Sequence, residues 1–212
     1  IAGGVDVCFT NPGTSEMHFV AALDKVPGMR CVLGLFEGVV TGAADGYYRM
    51  LGKPASTLLH LAPGLANGLA NLHNAKKADS GVVNIVGEHA TYHIQYDAPL
   101  TADIEGTAAP MSHWVKTSPT SQTIAADGAL AIEAATQTPG QIATLILPAD
   151  TAWGPADAVV EATAPPALPK ASDAAVKAAA EMLRTSETAT LLMGGGALRH
   201  RSLELAGKIA AK

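Results

Sequence analysis

Residues 5–23 read VDVCFTNPGTSEMHFVAAL, an apolar segment, a Pro-Gly turn and then a segment whose apolar residues have helical spacing. Buried parallel strands are short apolar runs, and a helix that covers a sheet buries one face. The alternation recurs, and we predict strands at Val5–Phe9, Cys31–Phe36, Ala55–Leu61, Val82–Val86 and Ala143–Leu147. The helices predicted between them are Glu16–Leu23, Gly38–Met50, Gly64–Ala75 and Ile124–Thr136. This pattern predicts an α/β fold, in which a parallel sheet carries helices on both faces.

The composition is that of a globular protein. Of the 212 residues, 48% are hydrophobic and 16% are charged. The net charge is -5 and the 14 Lys and Arg residues are scattered, so no basic stripe is available to neutralise a phosphate backbone. Apolar runs such as Gly140–Pro148 are far shorter than the ~20 residues that span a bilayer. We therefore expect no nucleic-acid partner, no membrane span and a cytoplasmic location.

A change of composition predicts a domain boundary after Trp153. Residues 154–170 contain four prolines among small residues, which is typical of a semi-rigid linker. Beyond it, Ser172 can cap a helix over Asp173–Leu183, and a strand at Ala189–Met193, a glycine turn and a further helix follow. We predict a first domain at 1–153, a linker at 154–170 and the truncated start of a second α/β domain at 171–212. On this interpretation the chain is a fragment.

The turn at residues 9–16, FTNPGTSE, joins the first predicted strand to the first predicted helix. A Pro-Gly turn lets the backbone approach a ligand closely, and it presents the amide groups of a helix N-terminus. The alternative is an ordinary connection in which Thr14 or Ser15 caps the helix.

Two ionisable residues lie at the ends of other predicted strands. Glu37 directly follows the second strand, at the edge where α/β proteins bind ligands, and could hold or share a proton there. Its alternative role is to stabilise its own helix through the macrodipole. His60 lies near the end of the third strand, and histidine can serve as a general acid or base because it titrates near neutral pH. The alternative for His60 is a core histidine with satisfied hydrogen bonds.

The remaining reactive residues carry weaker signals. Cys8 and Cys31 lack Cys-x-x-Cys spacing and lie in or beside apolar stretches, so we expect both to be buried free thiols. His89 and His93 are four residues apart, as in some zinc sites, but the metalloprotease glutamate is missing. We expect no metal ligand in this chain.

The three turns occur in a fixed order: Asn-Pro-Gly at 11–13, an apolar segment ending in Glu37, and His-x-x-Pro-Gly at 60–64 followed by Asn67. In this order they resemble the pyrimidine-binding domain of the thiamine diphosphate-dependent superfamily that contains acetolactate synthases and benzoylformate decarboxylases. The resemblance covers residues 5–153 and continues through Gly42–Tyr47, Asn71–Ala75, Gly87, Asp97–Ala98 and Leu147–Asp150. The turn at Gly194–Ala197 resembles the start of the central domain of that family.

The resemblance implies a 2-oxo acid decarboxylase or carboligase. In this family the carboxylate that matches Glu37 hydrogen-bonds the aminopyrimidine ring of thiamine diphosphate and promotes loss of the thiazolium C2 proton. Pro12, Gly13, Pro63 and Asn67 would line the pyrimidine. His60 matches an acid-base histidine of benzoylformate decarboxylases, where typical acetolactate synthases have threonine. Leu100 stands where synthases usually carry a glutamine near the cofactor, so the resemblance points to both branches.

The resemblance also implies groups outside this chain. The Gly-Asp-Gly segment and Asn ligands that bind diphosphate and Mg²⁺ in the family do not occur in these residues. Mg²⁺ would therefore be held by a C-terminal domain, the active site would need at least a homodimer, and the fragment alone would be inactive. FAD binding is left open. The alternatives are a non-catalytic or split pyrimidine-domain subunit and an unrelated nucleotide-binding α/β protein.

Overall fold

The computed structural model describes residues 1–165 and 167–212, and the chain forms two compact units, Ile1–Pro165 and Pro166–Lys212. The strands of the first unit are β1 (Val7–Asn11), β2 (Arg30–Leu33), β3 (Ala55–Leu59), β4 (Val82–Glu88), β5 (Trp114–Thr117) and β6 (Ile142–Pro148). They form one sheet in the order β2-β1-β3-β4-β6-β5, and every neighbouring pair is parallel. The predicted parallel α/β fold is confirmed.

Helices fill the connections between the strands, as a parallel sheet requires. They are α1 (Met17–Lys25), α2 (Glu37–Leu51), α3 (Leu61–Lys77), α4 (Ile104–Ala108), α5 (Ile124–Ala135) and, after β6, α6 (Ala149–Trp153). Short 3₁₀ turns lie at Thr14–Glu16, Ile94–Tyr96 and Ala109–Met111.

Two hydrophobic cores lie on opposite faces of the sheet. Consecutive strand residues point to opposite faces, and on β3 the fully buried Leu58 and Leu59 belong to different cores. The core around Leu59 includes side chains of α2, α3 and α4, among them Val40 and Leu72. The core around Leu58 includes Ala131 of α5, with side chains of α1 packed against it. The prediction of helices on both faces is confirmed.

The sheet differs from the predicted one at both edges. The sequence predicted five strands, and the sixth, β5, was missed because its four half-buried residues include Lys116, which forms an ion pair with the buried Asp127. At the other edge β2 ends at Leu33 rather than at Phe36. Cys31 lies on this edge strand and is exposed, so the expectation that it is buried was wrong, whereas Cys8 beside it on β1 is buried. Both cysteines are free thiols, as predicted.

The described residues of the second unit form two α-helices, α7 (Asp173–Thr185) and α8 (His200–Ala210). The predicted cap is confirmed, because Ser172 Oγ accepts a hydrogen bond of 3.2 Å from the amide of Ala175. The predicted strand at Ala189–Met193 was wrong: within the described part of this unit there is no strand with which it could pair, and an isolated strand cannot form a ladder.

The predicted linker belongs to the first unit as far as Pro165. Ser121 Oγ donates a hydrogen bond to the carbonyl oxygen of Pro155, and the Thr163 amide donates one to Glu133. The division into domains at 1–153 and 171–212 stays a prediction. Across the described residues, no helix is both long enough and apolar enough to cross a bilayer.

Candidate active site at the carboxyl ends of the strands

The sheet brings the three predicted turns to one edge. Strand β1 lies between β2 and β3, all three run in the same direction, and each turn follows the carboxyl end of one strand. The first two turns are tied together by Asn11 Nδ2, which donates a 2.8 Å hydrogen bond to the carbonyl oxygen of Gly34. This edge is where open α/β sheets bind ligands.

Glu37 is the first residue of α2 and is half-buried. Its Oε2 atom accepts a hydrogen bond of 2.9 Å from Asn67 Nδ2, on the neighbouring helix α3. The start of a helix favours a carboxylate through the macrodipole. The side-chain partner that the structure describes for Glu37 nevertheless lies on α3 and is not part of its own helix. The structure therefore brings together two residues that the sequence predicted to contact the cofactor.

Close packing of α2 on α3 sets the position of the Glu37–Asn67 pair. Thr41 is fully buried, and its Oγ1 donates to the carbonyl oxygen of Gly68 at 3.0 Å. Asn71 Nδ2 donates to the carbonyl oxygen of Gly38 at 2.7 Å. A Cβ atom at Gly68 would lie only 2.8 Å from the Thr41 methyl carbon, so the close approach depends on a glycine there.

His60 lies between β3 and α3, and its imidazole packs directly on Gly13 of the first turn. A Cβ atom at Gly13 would lie 2.6 Å from His60 Cγ and closer still to Cε1 and Nδ1, so only glycine leaves room for the ring. The His60 side chain keeps 25% of its surface exposed. Leu61, which follows, has φ 49° in the left-handed region, a conformation that a leucine rarely adopts and that turns the chain sharply into α3. Such strain is concentrated at functional sites.

Glu16 is a site residue that the sequence reasoning missed. It closes the 3₁₀ turn and is only 1% exposed. Its Oε2 accepts a hydrogen bond of 2.7 Å from the Gly13 amide and lies 2.8 Å from His60 Nδ1, with which it shares a second hydrogen bond. A Glu three residues after the N-cap is a capping-box signal that could have pointed to this residue. The alternative caps Thr14 and Ser15 are not used in the described structure, where the N-caps are Gly13 and Glu16.

Gly64 separates the two groups of site residues. A Cβ atom at this position would lie 3.3 Å from Glu37 Oε1 and 3.4 Å from His60 Cβ, so the carboxylate and the histidine pack on either side of the same glycine. Pro63 and Asn67 are exposed and one helical turn apart on α3, so they share a face of that helix. Pro12 is half-buried in the first turn.

A second buried carboxylate lies at the end of β4. Glu88 is 7% exposed, and its Oε1 accepts a 2.7 Å hydrogen bond from the His89 amide. Burial raises the pKa of the Glu88 carboxyl, and the His89 amide lowers it in part. The sequence reasoning did not select Glu88, which lies two residues beyond the predicted strand Val82–Val86.

The described residues contain no cluster of three His, Cys, Asp or Glu side chains that could hold a metal ion. His89 and His93, the pair whose spacing resembles a zinc site, both lie in the loop that follows β4, and their ring centroids are 5.8 Å apart.

Comparison with known proteins identifies relatives of the chain. Residues 2–113 match the family described as "Thiamine pyrophosphate enzyme, N-terminal TPP binding domain", thiamine pyrophosphate being thiamine diphosphate. The acetolactate synthase large subunit-like protein IlvX of Mycobacterium tuberculosis is 54% identical over 99% of this chain and 40% of its own length. Benzoylformate decarboxylase of Pseudomonas aeruginosa is 32% identical over 97% of this chain and 40% of its own length.

Among solved structures, the 4-hydroxybenzoylformate decarboxylase of Rhodococcus jostii superposes with a TM-score of 0.77 at 24% identity, covering 88% of this chain and 36% of that one. This likeness supports the fold. The chain spans about 40% of the length of the curated relatives that it matches over nearly its whole length. Because the family match covers more than half of the chain, the chain belongs to the thiamine pyrophosphate enzyme family, and residues 2–113 correspond to its N-terminal TPP-binding domain.

Proposed function

We propose that the whole protein is a thiamine diphosphate-dependent enzyme that decarboxylates a 2-oxo acid or ligates the product, with Glu37 as its principal catalytic residue. The observation that carries the proposal is the position of the Glu37 carboxylate. It lies at the carboxyl edge of a parallel sheet, half-buried, and Asn67 of the neighbouring helix holds it at 2.9 Å. A carboxylate restrained in this way can hold a proton opposite a ring nitrogen.

Two glycines allow the ionisable side chains of the site to take their positions. A side chain at Gly13 would collide with His60, and one at Gly64 would crowd Glu37. We assign Pro12, Gly13, Pro63 and Asn67 to the surface that would hold the pyrimidine. Bound thiamine diphosphate supplies an electron sink for the carbanion left when a 2-oxo acid loses CO₂. Glu37 would then bind and protonate the pyrimidine ring, and His60 would exchange a proton with the substrate.

The substrate class rests on the two kinds of relative. One is an acetolactate synthase large subunit-like protein and the other a benzoylformate decarboxylase, and they match 99% and 97% of this chain. We propose a 2-oxo acid, with pyruvate, glyoxylate and an aryl-glyoxylate as the compounds to compare. His60 favours a decarboxylase, because an imidazole at the site can protonate the product of CO₂ loss.

We propose that Mg²⁺ binds with the diphosphate outside the described residues, since these contain no cluster of three metal-ligating side chains. Whether the whole protein binds FAD is a separate question. The visible absorption spectrum of the purified protein answers it, because bound flavin absorbs visible light and thiamine diphosphate does not.

A homodimer or tetramer would complete the site. The segment on both sides of Glu37 exposes a run of apolar side chains, and such a run on a globular protein marks an interaction surface. Its members are Leu33 at 67%, Leu35 at 89%, Phe36 at 49% and Val39 at 59% exposed. We propose that this run packs against a second copy of the protein.

We propose a cytoplasmic location. Cys8 and Cys31 are neighbours in the register of β1 and β2 and are nevertheless free thiols. Unpaired neighbouring thiols are typical of reducing compartments. Cell fractionation followed by immunodetection tests this location.

The test of the catalytic proposal is Glu37→Gln in the whole protein, loaded with thiamine diphosphate and Mg²⁺. We expect exchange of the cofactor C2 proton, followed by quenched-flow NMR, to slow by about 10²–10⁴-fold, the usual contribution of a positioned acid or base. CO₂ release from the best of the three 2-oxo acids should fall in parallel.

The matched control is Glu105→Gln, which changes another first-turn helix glutamate that bonds a neighbouring side chain, Thr117. We expect the control to exchange at the wild-type rate. Wild-type exchange in Glu37→Gln would overturn the catalytic role of Glu37 and favour the non-catalytic alternative.

A further inference from the structure

The Glu16 carboxylate is the most deeply buried charged group near the site. Its side chain has no exposed surface, and a buried carboxylate is rare unless it is paired. Of its two oxygens, only Oε2 has hydrogen-bond partners among the described residues, and Oε1 has none. Oε1 packs against Gly87 of β4, where a Cβ atom would lie 2.5 Å from Glu16 Cδ and closer still to Oε1.

Capping of the first turn does not explain the charge of Glu16. The Gly13 amide needs one acceptor, and glutamine serves in a capping box as well as glutamate does. A neutral amide would also avoid the cost of burying a charge. The second bond of Oε2, to His60 Nδ1, is the contact that a carboxylate makes better, because a charged acceptor forms a stronger hydrogen bond.

The arrangement determines which nitrogen of His60 carries the hydrogen. An ionised carboxylate can only accept hydrogen bonds, and imidazole ordinarily binds a proton more tightly than a carboxylate does. The hydrogen between Glu16 Oε2 and His60 therefore lies on Nδ1, and Nε2 of the neutral ring keeps a free lone pair. Nε2 has no hydrogen-bond partner in the described part of the chain, and 25% of the side chain is exposed.

We propose that Glu16 is a positioning residue that fixes His60 in the Nδ1–H tautomer and leaves Nε2 to exchange a proton with the substrate. The tautomer rests on the contact between Glu16 and His60 with Glu16 ionised, whereas its catalytic consequence rests on the proposed function. When Nε2 takes a proton, the ring becomes a cation, and the buried charge of Glu16 stabilises it without contacting the substrate.

The direct test uses the whole protein with ¹⁵N-labelled histidine. Nitrogen NMR distinguishes a protonated ring nitrogen from an unprotonated one, and the His60→Gln variant identifies the His60 signals among those of the other histidines. At a pH where the ring is neutral, we expect the hydrogen on Nδ1. A hydrogen on Nε2 in the wild-type protein would overturn the proposal, and this measurement needs no variant of Glu16.

The second measurement uses Glu16→Gln, which retains the volume of the side chain and an acceptor for Gly13. We expect the Nδ1–H fraction to fall and kcat to drop by about 10²-fold, with KM within about threefold, because Glu16 does not touch the substrate. A purely structural role predicts an unchanged tautomer and kcat in every variant that melts like the wild type, which would contradict the proposal.

Glu105→Gln again serves as the control and should alter neither the His60 signals nor kcat. Different measurements would contradict the proposed function and the positioning role of Glu16. Normal C2-proton exchange in Glu37→Gln overturns the former, whereas a wild-type hydrogen on Nε2 overturns the latter.

Discussion

A methyl group added at position 13 would collide with the imidazole ring of His60. Gly13 has φ -115°, which any residue adopts, so the cost of Gly13→Ala is steric and involves no backbone strain. The new Cβ would lie 2.6 Å from His60 Cγ, whereas carbon atoms in contact are about 3.5–4.0 Å apart. The ring would have to retreat by roughly 1 Å, and this movement would break its 2.8 Å bond to Glu16. Overpacking and the lost bond together should lower the free energy of unfolding by about 2–3 kcal/mol.

Urea denaturation followed by tryptophan fluorescence measures this loss. Within residues 1–212 both tryptophans, Trp114 and Trp153, belong to the first unit, so in this chain the signal reports on the unit that contains the site. The control is Gly128→Ala in α5, where a Cβ atom meets nothing within 4 Å and alanine should stabilise the helix by about 0.5–1 kcal/mol.

A double-mutant cycle separates the clash from any other effect of Gly13→Ala. Removing the imidazole with His60→Ala should make the alanine at position 13 nearly neutral, which gives a coupling energy of about 2 kcal/mol. An unchanged unfolding free energy in Gly13→Ala, or a loss that persists in the double variant, would refute the packing of His60 on Gly13.

Two further predictions concern the end of β4. Gly87→Ala should destabilise the first unit by about 3 kcal/mol, because its Cβ would occupy the space of the buried Glu16 carboxylate, and urea denaturation with Gly128→Ala as reference checks this. Glu88 should make stability fall as pH rises from about 4.5, because burial raises the pKa of the folded-state carboxyl and the unfolded chain releases its proton first. Glu88→Gln keeps an acceptor for the His89 amide and should flatten this slope, and an identical slope in both proteins would rule out Glu88 as its source.

The sequence predicts the elements whose signals are local. An apolar run followed by a turn and a helix predicts a buried parallel strand, and parallel strands end at one edge of the sheet. For this reason Glu37 and His60 could be placed near each other, with Asn67 on the next helix. Edge strand β5 was not predicted because Lys116 interrupts its apolar pattern. The charge of Lys116 is explained by its ion pair with Asp127, on a later helix.

Features that depend on contacts between residues far apart in the chain could not be predicted from the sequence. Glu16 and His60 are 44 residues apart, and neither the spacing nor the composition of the first turn indicates their contact. Cys31 has the apolar neighbours of a core residue, yet its strand lies at the sheet edge and only the strand order exposes it. Residues 189–193 have the composition of a strand, but a strand needs a partner.

The first turn of α3 has a consequence for how the site can respond to change. His60 immediately precedes this helix, Asn67 on its second turn holds Glu37, and Gly64 packs against both Glu37 and His60. Glu37 itself lies on α2, so a shift of α3 would move His60 together with the Asn67 amide that binds Glu37. A substitution on the buried face of α3, far from any ligand, would therefore alter the positions of His60 and of the Asn67 amide at the same time.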